Sequence, residues 1–170
     1  GLLFVAALAA DGHRVILADP NPSRLSVGRD LGAAETVEIA RGGGQAERVR
    51  AATADGAGAW VAVDATGVPE VWLDAIACVR PGGLVNLFGG CAPGISIPLD
   101  THLIHYSEIT IKGVYHHRPA TVRRALDRLA DPAFKADLLL SAERPIAEVE
   151  EALRSMMRKE ALKVVIRPES

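Results

Sequence analysis

Apolar positions along this chain switch repeatedly between a helical period and a strand period. Leu2, Val5, Ala6 and Ala9 share one face of a helix that stops at Gly12. Arg14 to Ala18 (R-V-I-L-A) is a short β-branched run, closed by the turn signal Asp19-Pro20-Asn21-Pro22. Ser23 to Leu31 reads as a second helix, with Ser23 as candidate N-cap and Gly32 as stop. Thr36 to Ile39 is a short strand, Gly42-Gly43-Gly44 a loop, and Gln45 to Thr53 a helix. Ala59 to Asp64 (A-W-V-A-V-D) reads as a strand of the fully buried type. Pro69 opens a helix with Val71, Trp72, Ala75, Ile76 and Val79 inward, and Pro81-Gly82-Gly83 ends it. Leu84 to Phe88 is the next strand, closed by Gly89-Gly90.

The second half has a different texture. Ile95, Ile97 and Leu99 alternate with Ser96 and Pro98, which predicts an edge strand where proline is tolerated. Ile109 to Tyr115 is a further strand. Pro119 opens a helix with Val122, Leu126 and Leu129 on one face, and Pro145 opens another with Ile146, Val149, Leu153 and Met156. Lys163 to Ile166 closes the chain as a strand. Alternating β and α segments with apolar strands predict an α/β fold: a doubly wound parallel sheet with helices on both faces.

Composition narrows the function classes. The chain has 170 residues, 49% hydrophobic and 24% charged, with a formal net charge of −2, and its pI is about 6.2. Basic residues are spread along the chain, so no nucleic-acid surface is expected. Cys78 and Cys91 form no C-x-x-C pair, which fits a reducing compartment, the cytoplasm. The longest apolar run, Leu2 to Ala10, is too short to span a bilayer and has no basic segment before it, so no membrane partner is expected. The chain opens at Gly1 inside an apolar helical run, which suggests that an upstream segment is missing.

Asp19 is the strongest local candidate for chemistry. In a dinucleotide fold, a glycine-rich turn leads into a helix whose N-terminus takes the pyrophosphate, and an acidic residue about twenty positions on receives the adenosine ribose hydroxyls. Asp19 stands 18 positions after Gly1 and ends the first strand. Gly1 would then be the last glycine of G-x-G-x-x-G, with Leu2 beside it. A carboxylate here repels a 2′-phosphate, which favours NAD over NADP. The alternative role for Asp19 is capping the turn before Pro20.

Several runs then occur in one order. H-R-V-I-L-A-D-P-N-P-S-R-L with D-L-G-A, V-D-A-T-G-V-P, R-P-G-G-L-V-N-L-F-G-G, E-I-T-I-K-G-V-Y and E-A-L-K-V-V-I span nearly the whole chain. Together they resemble the zinc-type medium-chain dehydrogenase/reductase family, closest in flavour to its alcohol, polyol and sorbitol dehydrogenase branch, and specifically its C-terminal portion. The resemblance implies a Rossmann sheet lacking its first strand, with a partial NAD-binding domain over residues 1–117. Residues 118–170 would be C-terminal helices and a strand of the catalytic domain.

It also implies site roles. Arg24 would reach the adenosine ribose or adenine edge. Thr66 and Gly67 would line the cofactor groove by backbone approach, and Phe88, Gly89 and Gly90 would face the nicotinamide. Val114, Tyr115 and His116 would lie beside its carboxamide, and Lys163 would contact the pyrophosphate. Each has a plain alternative as a turn, a loop or a solvated side chain. Trp60, Trp72 and Cys78 read as packing residues. The adjacent His116 and His117 lack metal-ligand spacing, and no cysteine, histidine and glutamate set stands in for a zinc site.

The resemblance places the zinc ligands and proton relay in an N-terminal domain absent from this chain, so neither a catalytic residue nor a metal ligand is expected here. The substrate would be a small alcohol or polyol, and the full-length enzyme a homo-oligomer. Without its first strand the sheet has a gap, which either closes or leaves flanks exposed, and the tail helices should carry uncovered apolar faces. The chain alone is therefore expected to aggregate, to bind NADH weakly and to be inactive. Two other classes fit parts of the pattern. An S-adenosylmethionine methyltransferase also places an acid after its second strand, and R-P-G-G resembles its late turn. A non-catalytic nucleotide-binding or oligomerisation module would use Gly94 to Leu99 as a cross-subunit edge.

Overall fold

A computed structural model describes residues 1–40 and 43–168. Gly42, part of the expected glycine loop, lies outside the described residues. The first half runs α1 (Leu2–Ala10), β1 (Ile16–Asp19), α2 (Pro22–Asp30), β2 (Glu35–Glu38), α3 (Gln45–Ala51), β3 (Ala59–Asp64), α4 (Pro69–Cys78) and β4 (Val79–Leu87). The second half runs α5 (Thr101–Tyr106), β5 (Thr110–Gly113), α6 (Pro119–Leu129), β6 (Leu140–Pro145), α7 (Val149–Met157) and β7 (Lys163–Arg167).

Every strand pairing is parallel. β1 pairs with β2, β3 with β4, β4 with β5, and β6 with β7. Among the described residues β1 and β3 do not pair, so the parallel layer consists of a two-stranded and a three-stranded piece. The two pieces expected on either side of a gap are therefore separate sheets. Helix α1 bridges them: Val5 and Ala6 are buried in a core with Leu17 of β1, while Phe4 meets Phe88, just beyond β4, edge-on at 5.0 Å between ring centroids.

Two cores hold these pieces. Val5, Ala6, Leu17, Leu25 and Leu31 cluster with Phe134 and Leu139. Ala75, Ile76, Val79, Val85 and Ile109 form the second cluster, between α4 and its sheet. Phe134 and Leu139 thus pack into the first half although they follow the boundary expected at residue 117. Arg128 donates to Ala7 O and Lys135 Nζ to Asp30 O, fastening the same segment to α1 and α2. Beyond these anchors the apolar faces are open, as the pattern implied. Leu126 is 62% exposed on α6, and Leu153 58% and Met157 82% on α7.

Five local expectations are corrected. Asn21, not Ser23, caps α2: its side chain accepts the Ser23 N–H at 2.9 Å, so the helix begins one residue earlier. Asn21→Ala should therefore cost about 1 kcal/mol in a urea melt while Ser23→Ala stays near neutral, and equal costs would count against this cap. The alternation over residues 95–99 forms no strand, because no neighbour offers it a ladder; those residues are irregular and Ile95 is 53% exposed. β3 is not fully buried: Trp60 and Val61 project to solvent because β3 is an edge strand covered mainly near its carboxyl end. Trp60 is not core packing, since it lies under the Arg80 guanidinium, 4.5 Å from its ring centroid. Finally, Pro81-Gly82-Gly83 does not follow α4 as a stop. α4 ends at Cys78, and these residues lie within β4 at a register shift against β3.

Candidate functional site: the carboxyl edge of the sheet

Parallel strands place all their carboxyl ends on one edge, where helix N-termini and loop amides converge. Asp19 ends β1, Asp64 ends β3, and the turns after β4 and β5 follow on their sheet's matching edge. Gly1 caps α1 and Leu2 is its first residue. The charges of Asp19, Arg24, Asp64 and Lys163 all reach the start of α1.

Asp19 is held in place without being consumed. Its Oδ1 accepts the Asn21 N–H at 2.8 Å, and Oδ2 faces Arg24 Nη1 at a loose 3.8 Å. Both side chains are partly buried, so the carboxylate keeps acceptor capacity on its Oδ2 side. A shallow cleft lined by Arg24, Ser23, Lys159 and Glu160 adjoins this pair.

The turns after β3 and β4 lie in backbone contact. A Cβ added at Gly89 would collide with Gly67 N and sit 2.6 Å from Asp64 Oδ2. Gly67 has φ +70°, and a Cβ there would collide with Gly90 O. Only glycine fits both positions. Asp64, 2% exposed and the one charged side chain buried among the described residues, organises the contact. Its Oδ1 accepts Thr66 N at 3.1 Å and Thr66 Oγ1 at 2.7 Å. Its Oδ2 accepts Gly67 N and the Trp72 indole N–H, each at 3.1 Å. The same indole donates to Gly89 O at 3.0 Å.

The remaining expected residues are less tied in. Phe88 is 55% exposed against Phe4. The strand expected to run to Tyr115 ends at Gly113, because Val114 onward finds no ladder partner. Val114 is 38% exposed and Tyr115 89%, with the Tyr115 ring 4.0 Å from His116, itself at φ +61°. Lys163 opens β7 and is exposed.

Sequence reasoning missed Asp64 and misassigned Trp72 to packing. The available signal was an acid ending an apolar strand immediately before A-T-G, with an indole eight residues on. Cys78 behaves as expected: burial pushes its thiol up to about 12. At pH 8 iodoacetamide should label the half-buried Cys91 while Cys78 stays unmodified until the chain is denatured, as read by peptide mass spectrometry. Comparable labelling rates would contradict that environment. Among the described residues no group of three or more His, Cys, Asp or Glu could hold a metal ion, and no helix is long and apolar enough to cross a membrane.

The chain is similar to known proteins in sequence and fold. A family model described as zinc-binding dehydrogenase matches residues 1–131. Geraniol dehydrogenase of Castellaniella defragrans is 31% identical over 97% of this chain and 44% of its own length. An alcohol dehydrogenase structure from Thermotoga maritima superposes with TM-score 0.85 at 26% identity, covering 98% of this chain and 47% of that one. The 2R,3R-butanediol dehydrogenase of Bacillus subtilis does so with TM-score 0.85 at 26% identity, over 99% and 48%. The chain spans about half the length of these relatives.

Proposed function

The chain belongs to the zinc-binding dehydrogenase family, and on that footing we propose that it forms the dinucleotide-binding part of an NAD-dependent alcohol or polyol dehydrogenase. The observation that carries this reading is the partly free Asp19 carboxylate on the edge where the glycine turns after β3 and β4 lie in backbone contact. The methyltransferase reading falls with the family assignment.

The residues present fit a nicotinamide dinucleotide. The floor made by Gly67 and Gly89 leaves no space for a Cβ, so the groove there is walled by main chain. Asp19 Oδ2 would accept the adenosine ribose hydroxyls, and Arg24 would lie along the adenosine edge. The N–H groups at the start of α1, from Gly1 and Leu2, would face the pyrophosphate, with Lys163 opposing its charge. Thr66, Gly67, Phe88, Gly89 and Gly90 would bound the nicotinamide half, with Val114, Tyr115 and His116 at its carboxamide side. Bound there, the nicotinamide supplies the hydride acceptor. The described residues do not fit a zinc site.

NAD over NADP follows from Asp19, because a carboxylate both binds the vicinal hydroxyls and repels a 2′-phosphate. Nuclear magnetic resonance of the ¹⁵N-labelled chain with NAD⁺ or NADP⁺ tests it. Amides of Asp19, Gly67 and Gly89 should shift with NAD⁺ at roughly millimolar concentrations. Silence at all three with either nucleotide would refute the groove. Asp19→Ser should lower the NAD-to-NADP affinity ratio about tenfold, as expected for losing a charged hydrogen-bond acceptor. An unchanged ratio would remove Asp19 from the proposed role.

A further inference from the structure

We propose that Asp64 and Trp72 act as a positioning pair that sets the spacing of the Thr66-Gly67 and Gly89-Gly90 turns, and through it the floor of the groove. The construction of the pair is independent of what binds, while the expected effect on ligand affinity rests on the nucleotide reading above.

One residue holds both turns. The Asp64 main-chain oxygen accepts Phe88 N at 3.0 Å and Gly89 N at 2.9 Å, while its carboxylate holds Thr66 and Gly67. A buried carboxylate is costly unless its oxygens are fully hydrogen-bonded. Here two donors reach each oxygen, and no lysine or arginine salt-bridges to it among the described residues. Trp72 supplies the link between turns. It stands in the first turn of α4, and its single indole proton is shared by Asp64 Oδ2 and Gly89 O. Any large apolar side chain could fill that space, but only a ring with a donor at its edge can tie the carboxylate to the second turn. Because the turns already touch at Gly67 and Gly89, any change in this link moves main-chain atoms of the groove floor.

The chain has two tryptophans, so an internal control exists. Trp60 is 66% exposed on β3, with its ring against the Arg80 guanidinium. In the ¹⁵N spectrum the Trp72 indole proton should exchange with D₂O about a hundredfold more slowly than that of Trp60. On adding NADH, the Trp72 indole and the Gly67 and Gly89 amides should shift together while Trp60 stays still. Trp72→Phe removes the donor edge together with part of the ring's volume, the second of which the Ile76→Val variant controls for. It should speed exchange at Gly67 and Gly89 about tenfold and weaken NADH binding roughly fivefold to tenfold. Ile76→Val, which thins the buried face of the same helix, should change neither selectively.

A Trp72→Phe chain that binds NADH like the parent, with turn exchange like Ile76→Val, overturns the proposal. Should Trp72→Phe not fold, the parent decides: a Trp72 indole that exchanges as fast as Trp60 overturns it as well. A protected Trp72, loosened turns in the variant and no NADH shift in the parent would refute the nucleotide reading while supporting the positioning role.

Discussion

Gly89→Ala should cost about 3 kcal/mol of folding stability, whereas Gly90→Ala, one residue later, should stay within about 0.5 kcal/mol of the parent. The two glycines are adjacent in sequence and opposite in surroundings. A methyl at Gly89 would collide with Gly67 N, Thr66 N and Asp64 Oδ2, two of them main-chain atoms that cannot swing aside. A methyl at Gly90 meets nothing within 4 Å. To accommodate the methyl of the first variant the turns must separate, which would break the Trp72 N–H contact to Gly89 O and the Gly89 N–H contact to Asp64 O. With total stabilities of order 5–15 kcal/mol, such a loss is visible as a displaced urea midpoint at unchanged slope. Equal midpoints for the two variants would show that the turns are not in the contact described. Nucleotide affinity should follow stability for Gly89→Ala, because the same collision deforms the groove floor.

The parts of this fold legible in the sequence are those where burial imposes a period. The run A-W-V-A-V-D bounds β3 correctly, and α1, α2 and α4 are located by apolar residues that line the two cores. Elements stabilised by other means escape the pattern. α5 has no fully buried residue: Leu103 and Ile104 only partly cover the second core, and Asp100 caps the helix, its side chain accepting Leu103 N at 2.9 Å. β6 has a polar, exposed sequence and exists because β7 offers a parallel ladder, reinforced by the Glu143–Arg167 pair. Conversely, Ile95 to Leu99 has the alternation of a strand and lacks the neighbour that would make it one. Periodicity reports the side-chain half of a strand's requirements; the backbone half depends on what else the chain brings alongside.

The candidate site divides along the same line. The placement of Asp19 and of the glycine turns at strand ends is legible, because apolar strands closed by an acid or by glycines mark where a parallel strand stops. The roles of Asp64 and Trp72 are not, because they depend on a hydrogen bond between segments separated by a helical turn and a loop. Arg80 is a comparable case on the opposite end of β4. It holds the exposed Asp55 carboxyl below its usual range and donates to Gly58 O, a structural clasp that spacing alone does not announce.

Asp64→Asn should destabilise the chain by about 2–4 kcal/mol, although it preserves shape and volume. The carboxylate receives two donors on each oxygen. An amide offers one oxygen, so whichever way it turns, its NH₂ group faces two donors. With the amide nitrogen toward the turn, Thr66 N and Thr66 Oγ1 lose their acceptor, although the hydroxyl can rotate. In the other orientation Gly67 N and the Trp72 indole lose theirs, and the indole falls back on Gly89 O alone. At 2% exposure water cannot readily replace the lost acceptor, so the cost is that of buried unsatisfied donors. The smaller loss comes from sacrificing the Thr66 side, so the variant is expected to keep the Gly67 and Trp72 contacts and to release Thr66. Urea denaturation of Asp64→Asn gives the magnitude, and amide exchange at Thr66 against Gly89 gives the direction. A variant within about 0.5 kcal/mol of the parent would mean that the carboxylate's charge and its second acceptor are dispensable. The turn geometry would then rest on the two glycines alone.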